Sequence, residues 1–398
     1  MGPHSQSDDG TNRRLWLTRN VWSFSLASLF SDWGHEMVTA LMPGFLIALG
    51  APAMALGLTE GVSNLAQAWA SVWGGRVSDH KANRHGVLVL GYVLTGIKAL
   101  MALVTWWPWV VVLRTLGWTG RGARGPIRDA YIAEEVPPKY VGQAYGLREA
   151  FDTAGALLGP LSAALLVAYV SPRTLIAWSA VPAVITVLVI LRVRKLRSPM
   201  VLSTKVATNA WPRPFIQYRM ATAVFAAGYL APTFFILRVW QSSVTLGPMT
   251  AHTLALLLYT LHNVVYAASA YPIGWIADRL PGRALLLLGY GLWALVVLGF
   301  ALVGRSIGQW ALLFAAAGLA TGLIEVAQKL ATVRLVPDAS RGQGLGQIAA
   351  VRGIGQLAAG LIMGMLWTLT NPRVGFAVEA SFAFVGLWAM IRTVKLSS

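Results

Sequence analysis

The sequence predicts an all-α membrane protein of twelve transmembrane helices in two pseudo-symmetric six-helix bundles. Three observations carry this prediction. The chain is 56% hydrophobic and only 12% charged, with a mean hydropathy of +0.60, far too apolar for a soluble domain of 398 residues. Apolar runs of about 20 residues, the length that spans a bilayer core as helix, recur along the whole chain. Finally, Gly342-Gln343-Gly344-Leu345-Gly346 repeats Gly142-Gln143-Ala144-Tyr145-Gly146 at an offset of 200, each copy following a proline, Pro337 and Pro137. Gly75-Arg76-Val77-Ser78-Asp79 and Gly274-Trp275-Ile276-Ala277-Asp278 lie 199 apart. Two independent matches at nearly one offset mean duplication, the repeat architecture of membrane transporters.

The twelve spans run over about 20–49, 53–78, 86–106, 108–134, 142–170, 174–192, 214–240, 250–277, 284–303, 307–335, 343–369 and 374–392. They divide the chain into an N-terminal segment (1–19), a first bundle (20–192), a basic, Pro-containing linker (193–213), a second bundle (214–392) and a short tail (393–398). A transmembrane barrel is excluded because runs such as Leu254–Leu258 and Leu285–Leu288 do not alternate in polarity. The polar segment Met1–Asn12 carries no apolar signal-peptide core.

The net charge of +17 is a topology signal. Arg13, Arg14 and Arg19 precede the first span, Lys81 and Arg84 follow the second, Lys139 follows the fourth, and Arg192, Arg194, Lys195, Arg197, Lys205 and Arg213 lie between the sixth and seventh. The alternate connections carry little charge, with Arg173, Arg305 and Arg373 as single exceptions. The positive-inside rule then places both termini and the linker in the cytoplasm. Anionic lipids are the expected partners of the basic loops, and nucleic acid is not.

Cysteine is absent, which excludes disulfides, thiol catalysis and Cys-ligated metals. The run Gly342–Gly346 lacks the Lys-Ser/Thr ending of a phosphate loop. No hydrolytic triad or convergent metal motif is visible, so the expectation is a protein without cofactor or resident metal that is not an enzyme.

The loop Gly75-Arg76-Val77-Ser78-Asp79-His80-Lys81-Ala82-Asn83-Arg84 resembles the signature between the second and third helices of the major facilitator superfamily, with Gly274 to Arg283 as its counterpart between the eighth and ninth. Ala82 departs from the family's glycine there. The resemblance covers essentially the whole chain and implies alternating access, with Asp79 and Arg84, and Asp278 and Arg283, latching the cytoplasmic side. The alternative is that these residues cap helix ends and fix topology. Ser31-Asp32, Glu36-Met37, Gly120 to Arg124, Arg128-Asp129 and Phe151 to Gly155 resemble a group of bacterial facilitators regarded as exporters. Gly155-Ala156-Leu157-Leu158-Gly159-Pro160 is similar to the family's antiporter signature, although Leu161, Ser162 and Ala163 depart from its end. The same glycines also suit close helix packing.

Charges inside a membrane are costly and persist where they are paired or wetted. Asp32 and Glu36 lie four apart on one face of the first helix near mid-span, and two such carboxylates suit a carrier that takes up and releases protons. The alternative is permanent pairing with arginine. His35 lies beside them. The fourth helix carries Arg114, Arg121, Arg124 and Arg128 on roughly one face. Their candidate partners are Asp32, Glu36, Asp129, Glu149 and Asp152; otherwise Arg121 and Arg124 offer a bidentate site to an anionic substrate. Arg128, Asp129 and Arg148 form a candidate gating network.

The halves have exchanged charge at matching positions: Asp152 corresponds to Arg352, Asp129 to Lys329, and Gly125 to Glu325. Asp152 and Arg352 are thus a candidate interbundle bridge, while Glu325 and Lys329, four apart, are placed to neutralise each other. Glu60, Asn64, His262, Asn263 and Glu325 complete the candidate cavity residues. Trp240, Tyr259 and Tyr266 read as packing or lipid-contact aromatics, with cavity lining as the alternative, and Lys98 has no evident partner. The expected function is proton-coupled export of a small solute by a monomer. Uptake of a small organic anion, ferroportin-like divalent metal export with Asp32 and His35 as ligands, and a non-transporting or lipid-moving protein on the same fold are the alternatives.

Overall fold

The computed structural model describes residues 16–80, 83–194, 211–277, 279, 282–304, 306–337 and 340–393, without the side chains of residues 79, 80, 248, 249, 282 and 393. Among the described residues there is no strand. Twelve helical segments follow one another: α1 (Arg19–Ala48), α2 (Ala53–His80), α3 (Arg84–Gly96, continued by a 3₁₀ stretch Ile97–Leu103), α4 (Pro108–Glu135), α5 (Val141–Leu166), α6 (Pro172–Trp178 and Ala180–Ile190), α7 (Arg213–Ala226 and Thr233–Ser242), α8 (Pro248–Ala277), α9 (Gly282–Leu302), α10 (Ile307–Leu335), α11 (Arg341–Leu369) and α12 (Pro372–Thr393). Seven of them, α3, α6 and α8 to α12, are long and apolar enough to cross a membrane by length and composition alone. Of the other five, α1, α2, α4 and α5 carry the acidic and basic side chains that form the site described below, and α7 is broken.

Local chemistry sets the boundaries. Thr18 caps α1 by accepting from the Val21 amide at 3.1 Å, and Ser171 caps α6 ahead of Pro172. The seventh span, expected as one helix over 214–240, breaks between Ala226 and Thr233 because Pro232 has no N–H to donate into the helix. The Gly228 carbonyl freed by this break accepts from Trp293 Nε1 at 2.9 Å, so the break is satisfied inside the second bundle.

The two bundles have different interiors. The second is aromatic: Phe235 stacks on Phe300 with centroids 4.2 Å apart, and Trp293, Phe314 and Phe376 close around them. The first buries ionisable groups, including Asp32, Glu60, Lys98, Arg114 and Arg124. The bundles meet where α1 packs on the second part of α7, α5 on α8, and α2 along α11. In the last of these seams, a Cβ on Gly57 would collide with the Gly360 carbonyl, so backbone lies directly on backbone. Among the described residues, α4 and α5 make no extensive contact with α10 or α11. The molecule is therefore closed at the end opposite its termini; at the end that carries them α4 and α5 are parted from α10 and α11, while α2 and α11 still meet, a Cβ at Gly346 lying 3.5 Å from Val72.

Candidate functional site

The four unbroken helices not read as spans from length and composition alone, α1, α2, α4 and α5, converge in the first bundle. Gly155 and Gly159 of α5 seat that helix on α1: a Cβ at Gly159 would lie 2.7 Å from Glu36 Cβ, and one at Gly155 would collide with the Leu29 carbonyl. The antiporter-like stretch is thus, at these positions, the close contact that fixes Asp32 and Glu36 against α5.

Asp32 accepts two bonds from Arg121, Nη1 to Oδ1 at 2.6 Å and Nη2 to Oδ2 at 2.9 Å, a fork-to-fork pair. Arg114 does not use any of the partners expected for it. It pairs with Glu60 at 2.7 and 2.9 Å, touches Thr39 Oγ1 and lies 3.9 Å from the Trp118 ring centroid. Asn64 accepts from Trp118 Nε1 at 3.1 Å, and His35 stacks on the same Trp118 ring with centroids 4.0 Å apart. Glu60 and Asn64 accordingly hold the scaffold rather than face an open cavity.

Arg124 differs from its neighbours. Its Nη2 donates to Ser31 Oγ at 2.7 Å and its guanidinium lies 3.9 Å from the Tyr92 ring centroid, while Nε and Nη1 are buried without a hydrogen-bond partner. Among the described residues it has no carboxylate partner. Lys98, left without a partner by sequence reasoning, points its Nζ at the Ser31 carbonyl at 3.4 Å, one residue from Asp32. Arg128 pairs with Asp129 at 3.0 Å and reaches Ser28 Oγ, and Arg148 pairs with Glu149 and, at 3.4 Å, with Asp152.

Asp32, Arg121, Arg124, Arg128, Arg148 and Asp152, walled by Gln67 and Ser71, enclose a cavity of about 170 Å³. Four guanidiniums against two carboxylates make its lining net cationic. Two hydrogen bonds tie α1 and α5 to the other bundle. Tyr259 of α8 donates to Glu36 Oε2 at 2.8 Å, and Asn263 Nδ2 donates to the Ala156 carbonyl at 3.1 Å. His262 Nδ1 is 3.0 Å from Asn263 Oδ1 and its Nε2 has no partner.

Several expectations need correction. Asp152 and Arg352 do not bridge in this structure: Arg352 lies 5.5 Å from the Tyr229 ring centroid inside its own bundle, while Asp152 is held by Arg148. Glu325 accepts from Tyr266 at 2.7 Å rather than pairing with Lys329, which is exposed. Tyr259 and Tyr266 are therefore carboxylate partners, not mere packing. Arg84 forks onto Glu134 of α4 at 2.8 and 2.6 Å, and Arg283 donates to the Ile391 carbonyl at 2.6 Å. The Asp79 side chain and Asp278, the acidic halves of the two expected latches, lie outside the described residues. Gly75 and Gly274 have open space where a Cβ would be, so packing does not demand glycine at either. Among the described residues no three His, Asp or Glu side chains converge as metal ligands.

One residue was missed altogether. Glu379 of α12 is fully buried, and neither of its carboxylate oxygens has a hydrogen-bond partner. The only signal was a lone acid in the last apolar run. An unpaired buried polar group of this kind costs about 1–3 kcal/mol. Glu379→Leu is therefore expected to raise the melting temperature in detergent by a few degrees; an unchanged or lower value would mean that Glu379 has a partner in solution.

The sequence profile of the Major Facilitator Superfamily matches residues 24–254 and 220–397. The chain is 29% identical over 374 residues to an uncharacterised MFS-type transporter of Methanocaldococcus jannaschii, with 93% of each chain covered. It is 23% identical over 395 residues to the multidrug resistance protein MdtG of Salmonella paratyphi C, covering 95% of this chain and 93% of that protein. Its fold superposes on the crystal structure of a D-xylose–proton symporter with a TM-score of 0.74 at 16% identity, over 96% of this chain and 98% of that one.

Proposed function

This chain belongs to the Major Facilitator Superfamily, a family of transporters and not of enzymes, and on that premise we propose that it exports a small solute in exchange for protons. In this reading the bundles of residues 20–192 and 214–392 rock about the midplane cavity, joined by the linker 193–213. The protein works as a monomer in the bacterial cytoplasmic membrane with both termini inside, and the parted end described above is the cytoplasmic one.

One observation carries the reading: Tyr259 of the second bundle donates to Glu36 of the first at 2.8 Å. A bond to an ionised carboxylate is worth about 1 kcal/mol more than one to a neutral acid. Placing a proton on Glu36 therefore loosens a link between the bundles, and rocking becomes sensitive to proton supply. Asp32, one helical turn away and bound to Arg121, gives the cavity a carboxylate that a cationic group can reach only by competing with a guanidinium. The multidrug resistance name of one relative supports a drug-like solute as the first probe.

The test is ethidium efflux from proteoliposomes under an imposed pH gradient. Glu36→Gln is expected to lower gradient-driven flux at least about tenfold, equivalent to about 1.4 kcal/mol, while leaving the melting temperature within a degree or two. Gradient-driven flux that survives Glu36→Gln would end the proposal for that residue.

A second reading, transport of a small organic anion, is supported by the unpaired nitrogens of Arg124 at a net cationic cavity. Thermal stabilisation by organic anions that disappears in Arg124→Gln would favour it. Ferroportin-like metal export has least support, since Asp32 is bound to Arg121 and His35 to the face of Trp118. Ligand binding without any flux would point instead to a receptor or lipid-moving protein on the same fold.

A further inference from the structure

On the face opposite the chain termini, the second bundle brings together the end of α7, the turn after α9 and the start of α12. Arg238, Gln241, Ser242, Asn371 and Arg373 line a cavity of about 490 Å³ there. Arginine is scarce in the loops of this face, and Arg173, one of its exceptions, is accounted for by a bond to the Ala102 carbonyl at 2.8 Å. Arg238, whose guanidinium lies 5.9 Å from the Trp310 ring centroid, and Arg373 have no such bond among the described residues. Both line one cavity, and among the described residues no Asp or Glu lines it and neither arginine has an ion-pair partner. The Nε of Arg238 is buried with no hydrogen-bond partner at all.

The neighbouring groups add donors and no negative charge. Gln241 Oε1 is already used by Trp367 Nε1 at 3.1 Å, and Asn371 Oδ1 by the Val374 amide at 3.1 Å, which leaves the NH₂ end of each amide free. Asn371 is thereby the N-cap of α12, with Pro372 at its first position. The first turn of α12 carries no acid and does carry Arg373, a cation at the positive end of a 22-residue helix. Two guanidiniums, a helix N-terminus and two amide donors around one cavity form an arrangement that an anion would complete.

We infer that this cavity binds an oxyanion of the phosphate type, either on a free solute or as the phosphodiester headgroup of a lipid in the facing leaflet. Arginine forks match phosphate oxygens in pairs, and a site assembled from donors alone has nothing to offer a cation. It lies apart from the midplane cavity and shares no residue with it.

The experiment uses the purified full chain. In delipidated detergent solution, inorganic phosphate is expected to raise the melting temperature by at least about 2 °C over chloride at equal ionic strength, and to have no such effect on Arg238→Gln/Arg373→Gln. In nanodiscs containing phosphatidylglycerol, native mass spectrometry should find at least about fivefold less bound lipid on the double variant. A phosphate effect without a lipid difference assigns the site to a free anion, and the reverse assigns it to a headgroup. Because the double variant removes two large side chains, Asn371→Asp serves as the second variant. It keeps the cap but supplies a carboxylate to the cluster, so basal stability should rise and the response to phosphate vanish. Equal responses to phosphate and chloride in wild type, with lipid retention unchanged by the double substitution, would overturn the assignment.

Discussion

Glu60→Ala is expected to destabilise the protein by about 3–5 kcal/mol, the largest stability effect of any single substitution considered, because it strands Arg114 inside the first bundle. Arg114 is 1% exposed and Glu60 4%, and the pair is bonded at 2.7 and 2.9 Å. The guanidinium of Arg114 is boxed in by Thr39 and by the Trp118 ring, so it has no route to water once its carboxylate is gone. Replacing both partners, Glu60→Leu with Arg114→Leu, should recover most of the loss, since an apolar pair of similar volume owes no desolvation penalty. Thermal melts of the three proteins in one detergent decide this. A single variant that melts with wild type would show that water reaches Arg114, and the pair would then belong to the transport cavity rather than to the scaffold.

Asp32→Asn is expected to reduce gradient-driven flux by at least about tenfold while costing little stability. The reason for this split is that Arg121, with its side chain 24% exposed, borders the cavity and can be rehydrated, unlike Arg114. Neutralising Asp32 also leaves four guanidiniums against Asp152 alone around the cavity, which should repel a cationic substrate outright. Arg121→Lys tests the geometry separately: it keeps the charge but loses the fork, and should give an intermediate loss. Flux that is unchanged in Asp32→Asn and lost in Arg121→Lys would instead make Arg121 itself the substrate-binding group.

The fold was legible because the bilayer imposes a length and a polarity that few residues can evade, and because the duplication left two matches at nearly one offset. Observed helix ends lie within a few residues of those read from the apolar runs. The break in α7 was missed because Pro232 sits in a run whose hydropathy does not fall. Candidate site residues stood out for the same physical reason: Asp32, Glu36 and the arginines of α4 are charges where charge is costly. Which charge meets which was not legible. Glu60 and Arg114 are 54 positions apart, and the match depends on helix rotation, which hydropathy does not report. Tyr259 could be singled out but not assigned a partner, because tyrosine is ordinary in membrane proteins and only its position opposite Glu36 reveals the bond. The bridge expected between Asp152 and Arg352 assumed that equivalent positions in the two halves face each other, whereas in this structure each points into its own bundle.

The crossing of Gly57 and Gly360 has a mechanical consequence. At that crossing no side chain stands between the two backbones, so one half can turn on the other there without lifting rotamers over one another. Such a seam works as a plain bearing, carrying the load of two apposed bodies while adding little friction. The resistance to turning is then concentrated in the few polar latches elsewhere, and the speed of the cycle becomes a property of those latches rather than of the wide surface between the halves.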